Sequence, residues 1–250
     1  MPVTKILITG ASSGLGAALA RAHARADVTL VLWGRDAVRL NATALHCREQ
    51  GAAIQTDNFD LRDPNELVER LAACDAKAPI DLAIFCAGVG GIVPANQFAQ
   101  DPGNAQAMAQ VNFVSPAIGA NFLSGVMAKR GYGHIVLVGS IAESFPLPMA
   151  PLYSGSKAGL AMFAEALGLR IAPYGVAVTL VSPGFIDTPM SRPLTEPKPF
   201  LMSAERAAEI IARKLTRRTA RITVPWQFAW IRALAKCLPH LLLRQILRRA

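Results

Sequence analysis

The chain has 250 residues, 52% hydrophobic and 17% charged, which excludes a disordered chain and fits one packed α/β domain with a sizeable core. Aromatic residues make up 6%, and the four cysteines and four histidines are scattered, so neither a disulfide framework nor a metal site is expected. The formal charge of +9 gathers at one end, because residues 210–250 hold ten Lys/Arg and no acidic residue.

The N-terminal MPVTKILITG lacks the apolar core and cleavage site of a secretory leader, and no uncharged apolar stretch approaches the roughly 18 residues that cross a bilayer. A reducing, cytoplasmic setting is therefore expected. Strands are predicted at Lys5–Thr9, Val28–Trp33, Ala53–Thr56, Asp81–Cys86, His134–Gly139, Val176–Val181 and Ala220–Val224. Most are continuous apolar runs without alternation, the pattern of a parallel sheet covered by helices on both faces. Helices are predicted between them, among others at Gly14–Arg25, Pro64–Ala73, Asn104–Arg130, Tyr153–Ala172 and Ser203–Thr216. This alternation predicts a single Rossmann domain with a doubly wound, seven-stranded parallel sheet. Residues 1–190 are expected to form its core, and residues 191–250 to add to the same domain a lid, the last helix and strand, and a basic hydrophobic extension. The irregular segment Ser182–Met202 contains five prolines, and so long a connection is usually functional.

The first strand runs into Thr9-Gly10-Ala11-Ser12-Ser13-Gly14-Leu15-Gly16, and a helix opens there. Glycines at such a turn permit positive φ and close approach of the backbone to a ligand, and the helix N-terminus points N–H groups at a pyrophosphate. Packing alone also asks for glycine at strand-to-helix turns. The second strand ends Trp33-Gly34-Arg35, where an acid would hold a ribose 2′-OH and an arginine would accommodate a 2′-phosphate. No acid stands at Gly34, so Arg35, helped by Ser12 or Ser13, favours NADP(H) over NAD(H). The plain alternative for Arg35 is a solvated surface side chain. Asp60 and Leu61 follow the third strand, where a carboxylate could meet an adenine amino group or simply close a turn.

Tyr153 and Lys157 stand at i and i+4 on one helical face, where a cation would lower the phenol pKa and make it a usable general acid/base. Ser140 closes the preceding strand thirteen residues earlier, and its hydroxyl could steady a substrate oxygen or cap a turn.

The combination of TGxxxGxG, Asn112 in a mid-chain helix, Ser140 and YxxxK, with Asp60-Leu61 and Pro183-Gly184 followed by Thr188, resembles the short-chain dehydrogenase/reductase family over about residues 3–190. The resemblance implies that Tyr153 exchanges a proton with the substrate oxygen and that Lys157 binds the nicotinamide ribose and depresses the Tyr153 pKa. It implies that Ser140 hydrogen-bonds the substrate and that Asn112 supports a water-linked proton relay. Gly10, Ser12, Ser13, Gly14, Leu15 and Gly16 would line the phosphates, Arg35 the 2′-phosphate and Asp60 and Leu61 the adenine side, with Ala87 and Gly88 also touching the cofactor. Pro183, Gly184, Ile186 and Thr188 would hold the nicotinamide. The family usually has Asn-Ala-Gly after the fourth strand; here Cys86-Ala87-Gly88 puts a poor hydrogen-bonding residue there.

The activity so implied is carbonyl reduction or secondary-alcohol oxidation, on a hydrophobic ketone or acyl substrate or, alternatively, on a keto-sugar. A non-catalytic NADP(H)-binding regulator is a further alternative, although it would not need all four of Asn112, Ser140, Tyr153 and Lys157. The loop between Ser140 and Tyr153 is largely apolar, while Glu143 and Ser144 could serve a hydroxylated substrate. The family also implies a homodimer or homotetramer built on the two helices beginning near Asn104 and Tyr153. Beyond Pro225, Trp226, Phe228, Trp230, Ile231, Leu234 and Leu241–Leu243 mix with arginines, and prolines 225 and 239 predict two short helices. Two readings of this tail stand: peripheral attachment to the inner membrane face, or a solvated basic rim on helices capping the substrate site. Nucleic-acid binding is not expected, since no readout motif accompanies the charge.

Overall fold

In β1 (Thr4–Thr9), Ile6 and Ile8 face one core while Leu7 faces another, which is what a central parallel strand requires. The computed structural model describes residues 4–94, 96–195 and 197–237. Beside β1 lie β2 (Val28–Gly34), β3 (Ala53–Asn58), β4 (Leu82–Phe85), β5 (Gly133–Val138), β6 (Val176–Pro183) and β9 (Arg221–Val224). Their order is β3-β2-β1-β4-β5-β6-β9, and every pairing is parallel. The expected seven-stranded sheet is therefore the observed one. A separate two-stranded ribbon, β7 (Ile186–Asp187) with β8 (Met202–Ser203), braces the proline-rich segment and was not foreseen, since two residues carry no period.

One face of the sheet is covered by α1 (Gly14–His23), α2 (Ala37–Glu49) and α7 (Ala204–Leu215), through Leu19, Leu40 and Ile211 among others. The other is covered by α3 (Pro64–Lys77), α5 (Ser115–Arg130) and α6 (Pro151–Ile171), through Leu71, Leu123 and Leu160. Each such side chain, fully buried, contributes roughly 1.5–3 kcal/mol of transfer free energy.

The helix expected over Asn104–Arg130 starts two residues earlier. Asp101 caps α4 (Pro102–Ala109) by accepting from the Asn104 N–H at 3.0 Å. A π-turn, Gln110–Val114, then joins α4 to α5. This run corrects one expectation, because Pro102–Arg130 is long and apolar enough to cross a membrane. Its charges begin only at Lys129, but its inner face of Gly119, Ala120, Leu123 and Met127 is buried in the protein core. Length and apolarity alone do not distinguish a bilayer from a protein interior. Of the two tail helices, the first is α8 (Gln227–Cys237); the second, from Pro239, lies outside the described residues.

The strand order reverses between β1 and β4, which makes a crevice at their carboxyl ends, the place where ligands bind in open α/β sheets.

Candidate active site

At that crevice the glycine turn meets the end of β4. A Cβ at Gly10, whose φ is +70°, would lie 2.7 Å from the Ala87 Cα. A Cβ at Gly16 would lie 2.2 Å from the Gly10 carbonyl oxygen, so α1 approaches the turn only because Gly16 has no side chain. Ser13 is the N-cap of α1 yet makes no side-chain cap bond. The first-turn N–H groups of α1 thus lie beside the glycine turn as donors without an intrahelical partner, a cradle that fits a pyrophosphate.

The end of β2 presents a small buried residue followed by an exposed cation. Gly34 is buried, and a Cβ there would press to 3.0 Å from the Ser12 Cβ, which places Ser12 against the strand end. Arg35 is exposed and makes no ion pair among the described residues. The next acid, Asp36, is occupied capping α2: it accepts from the Arg39 N–H at 2.9 Å and from Arg39 Nε at 2.8 Å. Asp60 turns to Arg62, pairing at 2.5 Å, so its carboxylate faces an ion pair on the surface. Leu61 packs against the second core, and its carbonyl accepts from the Ser115 hydroxyl.

After β4, the Thr9 hydroxyl accepts from the Cys86 and Ala87 N–H groups at 3.1 and 3.2 Å. This holds the segment where the family's asparagine is missing. Burial pushes the Cys86 thiol up to about 12, against the opposing charge of Lys157, which suits a neutral filler. Asn112, fully buried in the π-turn, clamps the loop that follows. Its Oδ1 accepts from the Val89 N–H at 2.8 Å, and its Nδ2 donates to the Val89 carbonyl at 2.9 Å and to Ser156 Oγ at 3.4 Å. A Cβ at Gly88 would lie 3.3 Å from Asn112 Oδ1 and 3.7 Å from Lys157 Nζ, so three distant stretches of sequence meet there.

Ser140 stands two residues beyond β5 and caps the 3₁₀ turn Ile141–Ser144, its hydroxyl accepting from the Ala142 N–H at 3.2 Å. The cap reading of this serine is therefore the observed one. Lys157 is 4% exposed, and its Nζ donates to the Val138 carbonyl at 3.0 Å, 5.9 Å from the centre of the Tyr153 ring. The expectation that Lys157 depresses the Tyr153 pKa is corrected here. Burial raises the phenol, the Ser140 hydroxyl beside it opposes this, and the Glu143 carboxylate raises it further. Lys157 is itself pushed down to about 8 by burial, so the ammonium is weakened by the site that holds it.

Pro183 closes β6, and the Gly184 N–H donates to the Val224 carbonyl at 2.7 Å. Ile186 lies in the ribbon, and Thr188 abuts Gly14, whose Cβ would lie 3.1 Å from it. Phe228 of α8 packs under the lid on Phe185 and Phe200, with ring centres 6.4 and 5.5 Å apart. Sequence reasoning missed this clasp. It also gave Glu143 to a hydroxylated substrate, which the geometry corrects: the carboxylate is 2% exposed and points inward to Ser182 and Arg221.

The family model described as short chain dehydrogenase matches residues 4–199. The chain belongs to this family. It is 33% identical over 244 residues to an uncharacterized oxidoreductase of Myxococcus xanthus (strain DK1622), covering 97% of this chain and 96% of that one. It is similar in structure to a short-chain dehydrogenase from Sphingobium yanoikuyae in complex with NADPH, with a TM-score of 0.81, 25% identity, and coverage of 95% and 97%. It is also similar to the bulky-bulky ketone specific alcohol dehydrogenase from Comamonas testosteroni, with a TM-score of 0.79, 27% identity, and coverage of 90% and 87%. The chain is a short-chain dehydrogenase/reductase, an oxidoreductase acting on CH–OH and C=O groups.

Proposed function

We propose that this enzyme is an NADP(H)-dependent carbonyl reductase working on a hydrophobic ketone or acyl substrate. The observation that carries the reading is the convergence of Ser140, Tyr153 and Lys157 at the ends of β4 and β5, beside a glycine cradle that fits a dinucleotide. When bound, the nicotinamide supplies a hydride to the carbonyl carbon or takes one from the alcohol. Ser140 donates a hydrogen bond to the substrate oxygen. Tyr153 gives that oxygen its proton, and burial keeps the phenol protonated for the purpose. Lys157 holds the nicotinamide ribose, and Asn112 fixes the Val89 loop and supports the water-linked relay that returns a proton to the site.

Arg35, with Ser12 behind it and Asp36 tied to Arg39, supports the 2′-phosphate assignment. An apolar lid of Phe200 and Leu201 supports a hydrophobic substrate, as does the bulky-ketone specificity named for the Comamonas enzyme. The inward-facing Glu143 weighs against a keto-sugar. Titrating NADPH and NADH into the protein by nicotinamide fluorescence, with Arg35→Ala alongside, tests the reading. NADPH binding that falls toward the NADH level in the variant sustains it; equal binding of the two, or of neither, overturns it.

Two further assignments rest on exposed apolar surface. Met162 and Leu169 on α6 are 70% and 76% exposed, which supports burial in a homo-oligomer; sedimentation velocity tests it, and a monomer overturns it. On α8, Trp230 and Leu234 are each 66% exposed, which supports contact with an anionic membrane surface. Equal co-sedimentation of the full chain and a chain ending at Arg221 with anionic vesicles overturns that assignment.

A further inference from the structure

Glu143 lies one turn from Ser140 but belongs to a network that reaches far along the chain. Its Oε1 accepts from the Ser182 hydroxyl at 2.7 Å and pairs with Arg221 Nη1, which also donates to Ser182 Oγ at 3.2 Å. Its Oε2 accepts from the Ser140 N–H at 3.4 Å, closing a capping box with the Ser140 side chain. The fit is close on the remaining side as well, since a Cβ at Gly139 would lie 2.6 Å from Oε2. One carboxylate thus ties together the turn after β5, the end of β6 and the start of β9. The charged and titratable groups facing it are Arg221 of β9, Arg232 of α8, and Tyr153 and Lys157 of α6.

Resting on the proposed reductase chemistry, we infer that Glu143 is a positioning residue: its carboxylate, pinned by Ser182 and Arg221, orients the Ser140 turn and sets the field felt by Tyr153 and Lys157. A carboxylate that is 2% exposed has little water to screen it, so its charge acts on both side chains. The charge raises the pKa of each, which keeps the Tyr153 proton in place and partly restores the Lys157 ammonium against burial. Removing it while preserving shape lowers both.

The test needs no natural substrate. The Tyr153 phenol is titrated by ultraviolet difference absorbance, with Tyr153→Phe in each background as the blank. Glu143→Gln is expected to titrate at a lower pH than wild type. Where Glu143→Gln alone does not fold, Glu143→Gln with Arg221→Gln is read against Arg221→Gln, which isolates the carboxylate in the same way. Glu143→Asp keeps the charge but is too short to reach both Ser182 and the Ser140 N–H. It is expected to retain the wild-type titration while losing at least about tenfold in turnover of an aryl ketone probe, the scale of a displaced catalytic group. An unchanged Tyr153 titration without the carboxylate, or full turnover in Glu143→Asp, overturns the inference. A wild-type protein that reduces no ketone at all counts against the reductase reading instead, and the titration still decides the role of Glu143 in the field.

Discussion

Lys157 Nζ donates a 3.0 Å hydrogen bond to the Val138 carbonyl, tying α6 to the last residue of β5. Burial pushes this amine down to about 8 from 10.5. The native protein therefore releases the proton near pH 8, whereas the unfolded chain keeps it until 10.5. Between those values the unfolded state binds more protons, so native stability rises with pH. Below pH 8 the full cost of the buried charge is present. Lys157→Met has no such dependence, so wild type is expected to gain on the order of 3 kcal/mol relative to the variant between pH 8 and 10.5. Urea unfolding at stepped pH measures it, and a constant difference would mean that the ammonium is not held in a dry site.

Tyr153→Phe keeps the ring and removes only the hydroxyl, and with it the proton it would donate. Turnover of an aryl ketone is expected to fall by about 10²–10⁴-fold, the usual contribution of a positioned general acid. NADPH affinity should stay within a few-fold of wild type, because the cradle at Gly10–Gly16 is untouched. Because the Tyr153 pKa is raised, alcohol oxidation, which needs the phenolate, should climb on the alkaline side while reduction falls there. Steady-state rates in both directions across pH check this, and substantial reductase activity in the variant would remove Tyr153 as the proton donor.

Gly16→Ala sets a methyl group 2.2 Å from the Gly10 carbonyl oxygen, and the next nearest atom is also main chain, so no side chain can swing away. Either α1 or the turn must move. The expected cost is about 1–3 kcal/mol of stability, as for overpacking in a core, together with at least about tenfold weaker NADPH binding. Thermal unfolding and fluorescence titration of one sample read both quantities. Wild-type values for both would mean that α1 does not approach the turn this closely.

Features legible in the sequence were those whose signal is local. The Tyr153–Lys157 spacing, the glycine turn after β1 and the apolar strands each announce themselves within a few residues. The parallel sheet followed from the alternation of those runs. Glu143 was misjudged because its partners Ser182 and Arg221 lie 39 and 78 residues away and no local pattern ties them to it. Asn112 was reached only through the family resemblance, and its hold on Val89 and Ser156 depends on a π-turn that no periodicity marks. The Gly184–Phe228 contact is hidden for the same reason: a Cβ at Gly184 would lie 2.3 Å from the ring, an exclusion visible only once α8 is docked.

His134, the second residue of β5, is 5% exposed, and its Nε2 lies 2.8 Å from Thr179 Oγ1. The Thr179 hydroxyl donates to the Thr219 carbonyl at 2.6 Å, so it accepts from the ring, which assigns the proton of neutral His134 to Nε2. Burial, with the charge of Arg218 added, pushes this imidazole down to about 4 from 6.5. As pH falls below 6.5 the unfolded chain takes up a proton that the native state refuses, so stability is lost progressively down to about pH 4. His134→Gln keeps a donor at the position and removes the titration. Over that window wild type is expected to lose on the order of 3 kcal/mol more than the variant, while His23, also buried with a lowered pKa, adds the same slope to both. Urea midpoints from pH 7 to 4 give the comparison. Parallel curves would mean that His134 takes up its proton at the same pH in the native fold as in the unfolded chain, so that burial does not exclude the charge.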